Sequence, residues 1–98
     1  VAEPALHVAR QESRIRNRAG MHARAAVKFV QLASHFKSEI HVVKDDTSVN
    51  GKSIMGLLTL VAAHGLIIVI EAEGPDAEEA VAALAALVDN GFGEGVVE

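Results

Sequence analysis

Seven short segments follow one another along this chain, alternating between a strand-like period of two and a helical period near 3.6, and their order restricts the fold more than any other feature. Glu12 to Asn17 places charged residues around Ile15, the pattern of a short half-buried strand. From Ala23 to about Ser34, the residues Ala26, Val27, Val30 and Ala33 recur at helical spacing, with Phe29 and Leu32 flanking that stripe. Ser38 to Lys44 alternates again, Asp45-Asp46 signals a turn, and Thr47 to Asn50 can return as the second arm of a hairpin. Ser53 stands as an N-cap before a short apolar helix through Ile54, Met55, Leu57, Leu58 and Val61, stopped by His64-Gly65. Leu66 to Glu73 is the richest in β-branched residues. Asp76 with Glu79 resembles a capping box, opening a closing helix on Ala80, Val81, Leu84, Leu87 and Val88.

The order is therefore β-α-β-β-α-β-α. Amphipathic helices of this kind cover one face of a single antiparallel sheet and leave the other open, an α+β open-faced two-layer sandwich. Glu39, His41 and Glu71 fall on the open face, together with the apolar Ile67 and Val69. The predicted domain spans residues 12–91, with a loose N-terminal arm at 1–11, which holds Pro4, and a C-terminal tail at 92–98.

Ninety-eight residues suit one domain. Only three are aromatic, all Phe, so the core must be aliphatic. Cysteine is absent, which excludes disulfides and thiolate zinc sites. No apolar run approaches the roughly 20 residues of a membrane-spanning helix, and the N-terminal stretch lacks the apolar region of a signal peptide. A cytoplasmic address is expected. Residues 1–44 carry eight Lys/Arg against three acids, and residues 45–98 carry one base against ten acids. A basic first half on a chain of net charge −4 predicts a local site for an anion or an acidic partner, not general nucleic-acid affinity.

The candidate site is the stretch Gly20-Met21-His22-Ala23-Arg24-Ala25-Ala26. His22 stands directly before the first helical pattern, after a Gly that lets the chain turn sharply. The unpaired N–H groups and dipole of a helix start favour a bound anion, and the same field keeps an imidazole neutral and nucleophilic. Arg24 can add a guanidinium to phosphate oxygens. These are the parts of a transient phosphohistidine. No second ligand at metal spacing accompanies His22, so no metal is expected. There is no Ser or Cys nucleophile with an orienting group either. His7, His35, His41 and His64 read as arm, loop, open sheet face and helix end.

The Gly20–Ala26 stretch resembles the active-site signature of HPr, the histidine phosphocarrier family of the bacterial phosphoenolpyruvate-dependent phosphotransferase system. A second stretch, Asn50-Gly51-Lys52-Ser53-Ile54-Met55-Gly56, is similar to the family's segment around a regulatory serine, and Ala72-Glu73-Gly74 with the helix after it fits the end of the same fold. The resemblance covers about residues 12–90. It implies a four-stranded sheet in the order 1-4-2-3 covered by three helices. It also implies phosphorylation of His22 on Nδ1, with Arg24 binding the phosphate and Ser53 a regulatory phosphorylation site. Met21, Ala23, Ile54, Met55 and Leu58 would form an apolar docking patch, rimmed by Arg24 and Lys28. Ala25 stands where the family usually has Pro; either is tolerated in the first helical turn.

The implied role is a stoichiometric carrier without cofactor, a monomer and not a turnover enzyme. It would take phosphate from the phosphoenolpyruvate-protein phosphotransferase, the system's first enzyme, and pass it to sugar-specific or regulatory acceptor domains. An HPr kinase/phosphorylase would act on Ser53. Two alternatives lie close: a carrier of the nitrogen branch, and a regulatory binding module that works through phosphorylated Ser53. A small ligand-binding domain of unrelated descent is a third.

Overall fold

The computed structural model describes residues 7–97. Its elements are β1 (Val8–Arg14), α1 (Ala23–Ala33), β2 (Glu39–Lys44), β3 (Thr47–Asn50), α2 (Ile54–Thr59), β4 (Ile67–Glu73) and α3 (Ala77–Asp89), followed by a single 3₁₀ turn at Gly91–Gly93. The four strands are antiparallel and lie in the order β1-β4-β2-β3. One face is covered by the helices and the other is open, the α+β sandwich expected from the sequence. Among the described residues no helix is long and apolar enough to cross a membrane.

Register explains which residues face in. Ala9, Ala72 and Ile40 align across three strands, as do Ile70, Val42 and Val49. Ile40, Val42, Ile68, Ile70 and Ala72 are buried beneath Phe29 of α1, Leu57 of α2 and Val81, Leu84 and Val88 of α3. The neighbouring row Arg10, Glu71, His41 and Asn50 lies on the open face, where Arg10 Nε donates to Glu71 at 3.1 Å.

Several local expectations shift. β1 starts at Val8, inside the stretch read as an arm, and ends before Ile15; residues 1–6 of that arm lie outside the described residues. The seven residues of β1 pair one-to-one with the seven of β4, so the partner strand sets its length where its own alternation is weak. The buried stripe of α1 is Ala25, Ala26, Phe29 and Ala33, so Phe29 is central and Val27 lies outside it. α2 stops at Thr59. Val61, read from the sequence as part of this apolar helix, has φ +50 and is 72% exposed, and Leu60 and Ala62 take the inward positions. Lys44 Nζ holds this reversal by donating to the carbonyls of Leu60 and Val61. Asp76 does not close a capping box. Its carboxylate instead accepts from the Lys37 and Ser38 N–H groups and the Ser38 hydroxyl, tying the start of α3 to the entry of β2. The stretch read as a tail holds Phe92, which is fully buried.

Candidate functional site

His22 is placed by a loop with little freedom. Gly20 has φ +69, and a Cβ there would lie 2.5 Å from the Ala62 carbonyl oxygen, so only glycine fits. Met21 N–H donates to that same carbonyl at 2.9 Å. The chain then enters α1 at His22, whose backbone is extended (φ −81, ψ 179) and whose side chain makes no capping bond. The ring is thus released from the usual N-cap duty, beside a helix start that offers N–H donors and a positive field.

It is taken up by Glu94. His22 Nε2 lies 2.6 Å from Glu94 Oε2, and the two side chains are 25% and 22% exposed, a pair partly shielded from water. Asn17, buried below them, donates through Nδ2 to Glu94 Oε1 at 2.9 Å and to the Gly20 carbonyl at 2.9 Å. The Asn17 amide above all, then the His22 ring and Arg24, hold the Glu94 carboxyl below its usual range, against a desolvation that pushes it up. Arg24 is 78% exposed, with Nε 3.8 Å from the same Glu94 oxygen. His22, Arg24, Glu94, Lys28 and Ala19 line a shallow depression of about 560 Å³. Among the described residues, no cluster of His, Asp and Glu is arranged to hold a metal.

The sequence reading placed His22 and Arg24 together, and the structure does so too. It missed Glu94 and Asn17. Glu94 sits in a stretch set aside as a tail, and it reaches His22 because Gly91, Phe92 and Gly93 all have positive φ and turn the chain back. Phe92 was the available signal: an aromatic residue in a protein with three of them is a packing anchor before it is a tail residue.

The expected docking patch is smaller than drawn. Met21 is only 5% exposed and belongs to the core. Lys28 Nζ is committed to the Phe92 carbonyl at 2.7 Å. Ala23 and Ile54 are exposed, Met55 is 73% exposed, and Leu58 is half-buried against the core. Ala25 is fully buried in the first turn of α1. Ser53 caps α2, its hydroxyl accepting the Gly56 N–H at 3.0 Å. Gly51 before it is pressed against Ile40, where a Cβ would meet the Ile40 side chain at 2.5 Å.

The family model described as "PTS HPr component phosphorylation site" matches residues 9–90. The chain belongs to the HPr family. It is 54% identical over 86 residues to the phosphocarrier protein HPr of Neisseria meningitidis serogroup A, covering 88% of this chain and 97% of that one. HPr-C-His from Thermoanaerobacter tengcongensis has the same fold, with a TM-score of 0.86, 45% identity, and coverage of 90% and 99% of the two chains. The Bacillus subtilis catabolite-repression protein Crh, crystallised as a swapped dimer, gives a TM-score of 0.69 at 40% identity over 90% of this chain and 97% of that one. Membership makes the chain a phosphocarrier-family component of the phosphotransferase system, and the two sequence stretches that carried the resemblance occupy the starts of α1 and α2.

Proposed function

We propose that this protein carries phosphate on His22, taking it from the phosphorylated first enzyme and yielding it to sugar-specific or regulatory acceptor domains, as a monomer in the cytoplasm. The observation that carries this reading is the state of His22: an imidazole at the N-cap of α1 that makes no cap bond, beside Arg24 and a helix start that favours an anion. Nε2 is engaged by Glu94, which favours Nδ1 as the nitrogen for phosphate. Arg24, exposed and weakly held, is able to swing its guanidinium onto the phosphoryl oxygens. The position of Ser53 at the cap of α2, next to exposed Ile54 and Met55, supports a modulation of docking by its phosphorylation.

The second reading, a regulatory module acting through Ser53, is favoured by the likeness to Crh. His22 weighs against it, since a purely regulatory protein has no use for a nucleophile at that position. The deciding experiment is incubation with phosphoenolpyruvate and the first enzyme, followed by intact mass and acid-lability measurements. The parent should acquire one acid-labile phosphate and His22→Ala none, with its fold intact. Full labelling of His22→Ala would overturn the assignment.

A further inference from the structure

We propose that Glu94 is a positioning residue for the chemistry of His22: its carboxylate fixes the imidazole proton on Nε2 and so presents the Nδ1 lone pair to the incoming phosphorus. The inference rests on the phosphocarrier reading and deepens it. The contact is short, 2.6 Å from Nε2 to Oε2. An ionised carboxylate can only accept, so the shared hydrogen belongs to Nε2, and a neutral ring protonated there has its free lone pair on Nδ1. The Asn17 amide, the His22 ring and Arg24 all favour the ionised form of Glu94.

The carboxylate is itself held in place. Asn17 is 1% exposed, and its Nδ2 serves two acceptors, Gly20 O and Glu94 Oε1, each at 2.9 Å. Its Oδ1 has no partner. Turning the amide over would aim Oδ1 at two oxygens, so the orientation is decided despite the unsatisfied acceptor. The segment that carries Glu94 is anchored on both sides. Phe92 is buried and its carbonyl accepts from Lys28 Nζ, while Val97 N–H donates to the Arg16 carbonyl at 2.8 Å. Glu94 is therefore a fixed part of the site and not a passing surface contact.

In the transfer step, the Nδ1 lone pair attacks the phosphorus of the phosphorylated donor protein. The P–Nδ1 bond forms as the bond from phosphorus to the donor's leaving atom breaks, and that electron pair stays with the donor. No proton has to leave, because the Nε2 hydrogen remains in place. The positive charge that develops on the ring faces the Glu94 carboxylate, and onward transfer runs the same path in reverse.

The test uses the full chain with ¹⁵N-labelled histidine. Long-range ¹H–¹⁵N correlations on the unphosphorylated protein, just above neutral pH, read the tautomer of His22. The parent should show the Nε2–H form alone. Glu94→Gln should show a mixture, because a neutral amide can donate or accept. Phosphorylation by the first enzyme should then slow by about tenfold or more in kcat, with KM for the donor unchanged. Asn17→Ala should fall between the two, and Glu94→Asp should restore part of both properties. A parent with Nδ1–H overturns the proposal, as does a Glu94→Gln variant that keeps tautomer and rate while still taking phosphate on His22. A parent that shows the lock but accepts no phosphate overturns the phosphocarrier reading, and with it the purpose assigned to Glu94.

Discussion

Lys28 reaches from the second turn of α1 to the Phe92 carbonyl at 2.7 Å, joining the helix that starts at His22 to the turn that carries Glu94. The His22 site is thus built from segments distant in sequence, and its stability depends on residues well removed from His22. Phe92→Ala should destabilise the domain by about 3–5 kcal/mol in chemical denaturation, the usual result of emptying a fully buried aromatic site. Lys28→Met should cost less, about 1 kcal/mol, because the bond it removes is partly solvated. Both should loosen Glu94 from His22 in the tautomer measurement. A Phe92→Ala variant as stable as the parent would show that the turn is not anchored through this ring.

Arg24→Ala separates chemistry from stability. The side chain is 78% exposed and its contact with Glu94 is long at 3.8 Å, so removing it should leave thermal stability nearly unchanged. Phosphotransfer should slow about tenfold, the loss of one charge-assisted contact to phosphate of about 1.4 kcal/mol. Stopped-flow or quenched-flow transfer from the first enzyme checks this. An unchanged rate would remove Arg24 from the site.

Asp76 predicts an acid limb of stability. Its carboxyl is lowered from 3.8 to about 2, first by the Ser38 hydroxyl and then by the Lys37 N–H. A carboxyl whose folded value is depressed stabilises the fold above its unfolded value and loses that contribution as pH falls through the folded value. The Asp76 contribution should therefore be intact above about pH 4 and vanish progressively toward pH 2. Asp76→Ala should flatten that part of the stability–pH curve while lowering its plateau. A curve of unchanged shape would show that the acid sensitivity arises elsewhere.

What the sequence made legible was whatever depends on local pattern. The helices at Ala23 and Ser53, the hairpin around Asp45-Asp46 and the long strand through Val69 all follow from short-range periodicity and turn chemistry. β1 was displaced because Val8 to Gln11 has no period of its own and is defined by pairing with β4. Val61 was misplaced because a helical stripe cannot foresee where the chain reverses into a positive φ. At the site, His22 and Arg24 were readable because they adjoin the helix they use. Glu94 was not, because its role depends on a turn of three successive positive-φ residues that brings a distant carboxylate back to the ring.

Met55→Glu tests the docking surface. With 73% of Met55 exposed, a charge there should leave the fold and thermal midpoint essentially unchanged, since surface substitutions stay within about 0.5 kcal/mol. A partner surface that suits Arg24 is acidic, so the new carboxylate should weaken docking by like-charge repulsion, more strongly at low salt. Titration against the first enzyme at two ionic strengths reads this as a rise in Kd. Equal affinity at both would move the docking patch away from α2.

Ser53→Asp carries the regulatory reading. The serine hydroxyl accepts the Gly56 N–H at 3.0 Å, and Asp is an equally good N-cap, so α2 keeps its cap. The added negative charge sits at a helix N-terminus, where it is stabilising by about 0.3–1 kcal/mol. The thermal midpoint should therefore hold or rise. The same charge stands beside exposed Ile54 and Met55, on the surface through which an acidic partner is expected to dock. Repulsion and the desolvation of a carboxylate should raise Kd for the first enzyme and slow phosphorylation of His22, while the His22–Glu94 tautomer lock stays as in the parent. That combination distinguishes a docking effect from damage to the site. If Ser53→Asp accepts phosphate as fast as the parent at low salt, Ser53 is a cap and nothing more, and regulation through this patch is wrong.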